Sequence, residues 1–169
     1  MVEQELAAIE LASVDELTMI SNRRGFEALA QHALNVCQRR GLPATMLFFD
    51  LDGFKQVNDT FGHAKGDRAL VSFTQALRQA FRKSDVIGRL GGDEFVALLI
   101  NATVEQSEPS TQRLRAMIAL RNGMAASRYD IRFSVGCVRY DGQRPDEVAA
   151  LLAEADTAMY ADKQSGKAA

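Results

Sequence analysis

Hydrophobic and polar positions alternate along this chain in two different periods. Val2, Leu6 and Ile9 share one stripe at helical spacing, which predicts a helix over residues 2–12. It is either the tail of an inter-domain helix or a packed terminal helix. Ser13-Val14-Asp15-Glu16 has the form of a capping box. A second helix is predicted from Ser21 or Asn22, both good caps, to the Gly41–Pro43 stop signal. Ala44 to Asp50 is a short, almost wholly apolar run and reads as a buried strand. A polar stretch with Asn58, Asp59, Gly62 and Gly66 follows, and then Leu70, Phe73, Leu77 and Phe81 recur at helical spacing. Asp85 to Leu90 and Glu94 to Ile100 are strand candidates. Gly91-Gly92 between them predicts a hairpin whose tight turn uses positive φ. Pro109 is expected to open a helix carrying Leu114, Met117 and Ile118. Ile131, Phe133, Val135 and Cys137 alternate with Arg132, Ser134 and Gly136 as a half-buried strand. Asp146 is expected to cap a last helix with Val148, Leu151, Leu152, Ala155 and Met159 on one face.

From Ala44 onward the order is strand, helix, strand, strand, helix, strand, then a further helix. This is the βαββαβ pattern of an α+β, ferredoxin-like fold. A helical crossover makes the first two strands parallel, and the hairpin reverses the third. In the usual arrangement of this motif the third strand pairs with the first. Asp50, at the end of the first strand, is then expected beside Asp93 and Glu94, which follow the hairpin turn. Packing does not ask for three carboxylates at one sheet edge, because they repel. A divalent cation would relieve that repulsion, and hard oxygen donors suit Mg²⁺.

Composition narrows the reading. A 169-residue chain with 47% hydrophobic and 25% charged residues suits one domain with a proper core. The net charge of -2 offers no field for nucleic acid, so no nucleic-acid partner is expected. Cys37 and Cys137 sit among apolar neighbours and are too few for a disulfide framework or a zinc site. No apolar run reaches membrane-spanning length, and Glu3, Glu5 and Glu10 argue against a signal peptide. A cytoplasmic domain without membrane contact is the expectation.

The motifs resemble the GGDEF domain family, most of whose members are diguanylate cyclases. Gly91-Gly92-Asp93-Glu94-Phe95 spells its signature. Phe49-Asp50-Leu51-Asp52-Gly53-Phe54-Lys55 and Val57-Asn58-Asp59 look like its metal and nucleotide segment. Gly62-His63-Ala64-Lys65-Gly66-Asp67 is similar to its GHxxGD element. Asn22-Arg23-Arg24-Gly25-Phe26, Phe133-Ser134-Val135-Gly136, and Ala155-Asp156 through Tyr160 and Lys163 match further segments in order. The likeness runs over residues 15–167. It implies a palm-type fold, related to polymerases and nucleotidyl cyclases, over residues 14–169, with residues 1–13 a helical extension or linker. Leu17-Thr18-Met19-Ile20 departs from the family's Leu-Thr-Gly-Leu by lacking the glycine, and Asp162 is an extra acid beside Lys163.

By that resemblance, two GTP molecules condense into cyclic di-GMP with loss of two pyrophosphates. Two Mg²⁺ (or Mn²⁺) ions per site serve the attacking and leaving oxygens. Asp50, the Leu51 carbonyl, Asp93 and Glu94 bind metal, and either Asp93 or Glu94 takes the hydroxyl proton. Asp52 reads as a capping or solvated acid. Phe54 and Lys55 open a helical segment whose N–H groups hold phosphate. Gly91 and Gly92 make the turn and admit the nucleotide, and Lys163 resembles the family's phosphate lysine. Asn58 and Asp67 resemble the guanine readers, since a carboxylate can accept from guanine N1–H and N2 together. His63 either contacts substrate or ties down its loop. Arg82 and Asp85 match the RxxD site where product restrains the enzyme, with Arg89 assisting. The resemblance further implies a catalytic homodimer and an upstream sensory domain. The alternative is a catalytically inactive GGDEF domain acting as a GTP or cyclic di-GMP receptor.

Overall fold

The computed structural model describes residues 2–124, 129–142 and 147–168. Helix α1 (Val2–Leu11) precedes α2 (Arg23–Arg40), β1 (Ala44–Leu51), α3 (Phe54–Phe61) and α4 (His63–Ala80). Then come β2 (Val86–Arg89), β3 (Glu94–Ile100), α5 (Val104–Asn122), β4 (Phe133–Tyr140) and α6 (Val148–Ala168). The four strands form one antiparallel sheet in the order β2-β3-β1-β4, the arrangement expected for βαββαβ.

Helices cover both faces of the sheet, which is why β1 is apolar on both sides. Leu47, Phe49 and Leu51 face α4 and α5, where Phe73 and Phe133 pack edge-on against Phe49 at 6.0 and 5.9 Å. Met46 and Phe48 face α2 and α6 with Phe26, Leu34, Leu151 and Met159. The β alternation therefore sends Asp50 and its register partner Glu94 toward the α2/α6 side. Helix α6 lies directly on β4 at Gly136. A Cβ there would come within 2.2 Å of the Ala155 carbonyl oxygen and the Met159 nitrogen.

Several local expectations are corrected. Ser13 to Glu16 cap no helix. The Asp15 carboxylate instead accepts from the Thr18 N–H (2.9 Å) and hydroxyl (2.6 Å), closing a turn before α2. In that turn Met19 holds φ 63, the left-handed conformation natural to the glycine it replaces. Helix α5 begins five residues before Pro109, because Thr103 and Gln106 form a reciprocal capping box. Pro109 then lies inside the helix, where it removes one backbone hydrogen bond and its ring crowds the carbonyl four residues earlier. Strand β4 starts at Phe133, not Ile131, since the Ile131 N–H and C=O are both taken by the Asn122 side chain. The stretch from Asn58 to Gly66 is helical on both sides of a break at Gly62, φ 87. Asn22 does cap α2, accepting from the Gly25 N–H. The expected cap at Asp146 lies outside the described residues.

Candidate active site

The first strand ends where the hairpin turns. Asp50 pairs in register with Glu94, and the Leu51 N–H donates to the Asp93 carbonyl at 3.1 Å. The Asp93 carboxyl lies against that of Asp50. Burial, first, and then the Asp50 carboxylate push Asp93 from an ordinary 3.8 up to about 6. Glu94 is also raised, by burial and then by Asp156 and Asp50, with Arg23 acting against them. Like charges are thus held together at a cost, the electrostatic signature of a functional site.

Lys163 answers part of that charge. Its Nζ donates to Asp50 Oδ2 at 3.0 Å and stands 3.9 Å from Asp52 Oδ1. Partial burial disfavours the ammonium, but Asp50, Asp52 and Asp93 outweigh it and raise the Lys163 pKa. The extra acid beside it has a structural use. Asp162 accepts from the Val135 N–H of the exposed edge of β4 at 3.0 Å and so stations the end of α6. Asp52 accepts from the Ser134 hydroxyl at 2.9 Å, making it a paired acid.

Asp50 Oδ1 is buried without a hydrogen-bond partner. A hard cation fits an orphaned carboxylate oxygen beside a second, repelling carboxylate. Among the described residues no three acidic, His or Cys side chains stand as a ready cation cage. The donors already together are Asp50 and Asp93, with Glu94 across the strand pair.

The hairpin loop corrects the expected turn. Positive-φ glycines among the described residues are Gly41, Gly53, Gly62 and Gly142, so Gly91 and Gly92 do not use that freedom. Their use is space. A Cβ on Gly91 would sit 3.1 Å from Glu94 Oε1, while Gly92 faces open space on the exposed side of the loop. Arg89 holds the loop from below. Its Nη2 donates to the Gly92 carbonyl at 2.8 Å and its Nη1 to both Asp15 oxygens at 3.1 Å. Burial would raise the Asp15 pKa, but Thr18 and Arg89 overcome it and hold the carboxyl below its ordinary value.

Across the site, Asn58 on α3 and Gly66 on α4 meet so closely that a Cβ on Gly66 would overlap Asn58 Oδ1. That oxygen is buried and unpartnered. Phe54 packs on the core beside it, with Lys55, His63 and Asp67 exposed on the same two helices.

A family model described as diguanylate cyclase, GGDEF domain, matches residues 12–169. The chain belongs to the GGDEF domain family. Diguanylate cyclase DosC of Escherichia coli is 34% identical over 156 residues, which are 91% of this chain and 34% of DosC. Overall the chain spans well under half the length of the curated relatives it matches, 42% at most among those compared. Among solved structures, a TpbB fragment from Pseudomonas aeruginosa comprising only the GGDEF domain superposes with TM-score 0.80. It is 35% identical, with 90% of this chain and 89% of that one covered. Diguanylate cyclase SiaD, solved with its activator SiaC from the same organism, gives TM-score 0.84 at 31% identity, covering 98% of this chain and 64% of SiaD.

The GGDEF domain's other predicted cluster is only partly gathered. The Arg82 N–H donates to Asp85 Oδ2 at 2.9 Å. The Arg82 guanidinium reaches the Ile100 carbonyl at 2.9 Å and Asp85 Oδ1 at 3.4 Å. These two line a groove of about 610 Å³ with Leu77, Phe81 and Ile87. Arg89 lines a different cleft, with Asp15, Asn22 and Arg23. Sequence reasoning missed Arg115 and Arg132, which flank the Lys163 side of the site. Neither belongs to a motif. No helix among the described residues is long and apolar enough to cross a membrane.

Proposed function

We propose that this GGDEF domain is a diguanylate cyclase that condenses two GTP molecules into cyclic di-GMP. One observation carries the reading. Asp50, Asp93 and Glu94 converge at an open glycine turn, with Asp93 held near 6 by its neighbours and one Asp50 oxygen left unpaired. A scaffold kept only for packing would not hold this repulsion.

Asn58 and Asp67 read the guanine edge. A buried acceptor at Asn58 that lacks a partner rewards a base carrying N–H donors there and penalises adenine. The N-terminal N–H groups of α3 and the open face of Gly92 receive the triphosphate, and Lys163 moves from Asp50 to the phosphates. Asp93 or Glu94 accepts the proton of the attacking 3′-hydroxyl, the role of a positioned carboxylate in general base catalysis. Mg²⁺ or Mn²⁺, two per site, would be held by Asp50, the Leu51 carbonyl, Asp93 and Glu94, and supplies stabilisation of the attacking and leaving oxygens.

One domain holds one GTP, so two copies face each other during turnover. Residues 1–13 link the domain to an upstream sensory module. Product returns to the Arg82–Asp85 groove, where a guanidinium and a carboxylate stand together, and restrains the enzyme. Asp93→Ala and Glu94→Ala, each compared with wild type in GTP turnover with Mg²⁺, test the assignment. Loss of product with retained folding supports it. Unchanged turnover in either variant refutes the role given to that acid. A receptor reading would stand instead if the wild type bound GTP or cyclic di-GMP and never formed product.

A further inference from the structure

Asn58 sits on α3 and Asp67 on α4, and the helix does not run continuously between them. Gly62 breaks the backbone at φ 87, its N–H closing α3 on the Asn58 carbonyl at 2.9 Å. The angle between the two helices is therefore set by what packs on the elbow. Tyr129 packs on both sides of it. Its hydroxyl donates to the Lys65 carbonyl, in the first turn of α4, at 2.6 Å. Its ring stands 5.3 Å from that of Phe61, the last residue of α3. With Phe54 and Val57 of α3 and Ala69 of α4 it lines a void of about 10 Å³, room for one water at most. Tyr129 is itself held from the core side. Arg121 of α5 sets its guanidinium 4.9 Å over the Tyr129 ring and donates to the Tyr129 carbonyl at 2.9 Å. Asn122 takes both backbone groups of Ile131. Residues 129–131 are thus pinned to the end of α5, which packs on the core through Leu114 and Ile118.

We propose that Tyr129 is a positioning residue for base selectivity. It acts as a strut from α5 to the α3–α4 elbow, and by spanning the Gly62 break it fixes Asp67 against Asn58. The inference rests on the reading of those two residues as guanine readers. The strut ends where tolerance is smallest. Gly66 follows Lys65 and touches Asn58 so closely that a Cβ there would overlap Asn58 Oδ1, and Asp67 is the next residue. That Asn58 oxygen is buried without a partner, an acceptor aimed at a ligand. Donors on one base edge must reach Asn58 and Asp67 together. A small shift of α4 against α3 therefore loses one of those contacts and spares the rest of the nucleotide.

The test is calorimetric titration of GTP and of ITP, which lacks the 2-amino group, into the intact chain in EDTA. Wild type is compared with Tyr129→Phe, which removes one hydroxyl and keeps the ring in its place. Wild type is expected to bind GTP more tightly than ITP. Tyr129→Phe should weaken GTP about fivefold, the worth of one hydrogen bond, and leave ITP unchanged. A general loss of stability would lower both nucleotides alike and could not move their ratio. A GTP preference in Tyr129→Phe equal to that of wild type overturns the proposal and leaves the guanine readers standing. A parallel loss of both nucleotides also overturns it, since the effect would not lie at the base. Equal binding of GTP and ITP by wild type removes the guanine readers and the strut together. A preference that falls in Tyr129→Phe, in a protein that makes no cyclic di-GMP, keeps the strut and sinks only the cyclase reading.

Discussion

Asp93→Asn is predicted to stabilise the metal-free protein while abolishing its activity. Asp93 is held at about 6 against an ordinary 3.8, chiefly by burial and by the Asp50 carboxylate. A difference of that size corresponds to about 3 kcal/mol between the protonation states. The group is only half buried, so solvent screening reduces the usable part to about 1–2 kcal/mol. The sign follows from the raised folded value. The favourable contribution of protonated Asp93 is fully present below 3.8 and is lost as pH rises through about 6. Above that, wild type carries a destabilising charge that asparagine lacks. For a chain of this length, 1–2 kcal/mol corresponds to a melting temperature higher by about 3–6 °C. Thermal unfolding of both proteins in EDTA, followed from about pH 4 to pH 8, measures it. The two curves should converge at the acid end and separate through pH 6. Millimolar Mg²⁺ should then raise wild type and move the variant much less, because a cation removes the same repulsion. A variant that melts at or below wild type at neutral pH in EDTA would refute the reasoning.

Three further outcomes test other parts of the structure. Gly136→Ala drives a Cβ into the backbone of Ala155 and Met159, which cannot yield as a side chain tip would. It should cost about 3 kcal/mol in chemical denaturation, the top of the overpacking range. Met19→Gly relieves the left-handed φ of 63 at an exposed residue. A gain of about 0.5–1 kcal/mol is expected, part of the relief being offset by the entropy of the unfolded glycine. Lys163→Gln removes the ammonium from Asp50, so Mn²⁺ binding without nucleotide, followed by paramagnetic resonance, should tighten severalfold while GTP binding weakens.

Much of this site could be read from spacing because sheet topology does the gathering. Once the third strand was expected beside the first, Asp50 had to come near Asp93 and Glu94, and the β1–β3 register places Asp50 opposite Glu94. Hidden signals were of two kinds. Some were local and misjudged: Thr103 and Gln106 start α5 ahead of the more conspicuous Pro109, and Asp15 turns back to Thr18 instead of capping a helix. The glycine pair lay in the right place for another physical reason, since backbone exposure and not positive φ is what the loop uses. Other contacts join positions with no shared period. Lys163 reaches Asp50 from 113 residues away, Arg89 reaches Asp15 from 74. Arg115 finds Phe133 only because α5 and β4 are packed together. No pattern along one chain encodes such meetings.

The central claim is that opposed copies of this domain turn GTP into cyclic di-GMP. Incubating the protein with GTP and Mg²⁺ over a wide range of protein concentrations, with the product identified by mass, tests it most directly. Cyclic di-GMP should form, and the rate per domain should rise with concentration as pairs assemble. GTP bound by a folded protein with no cyclic di-GMP at any concentration would contradict the account.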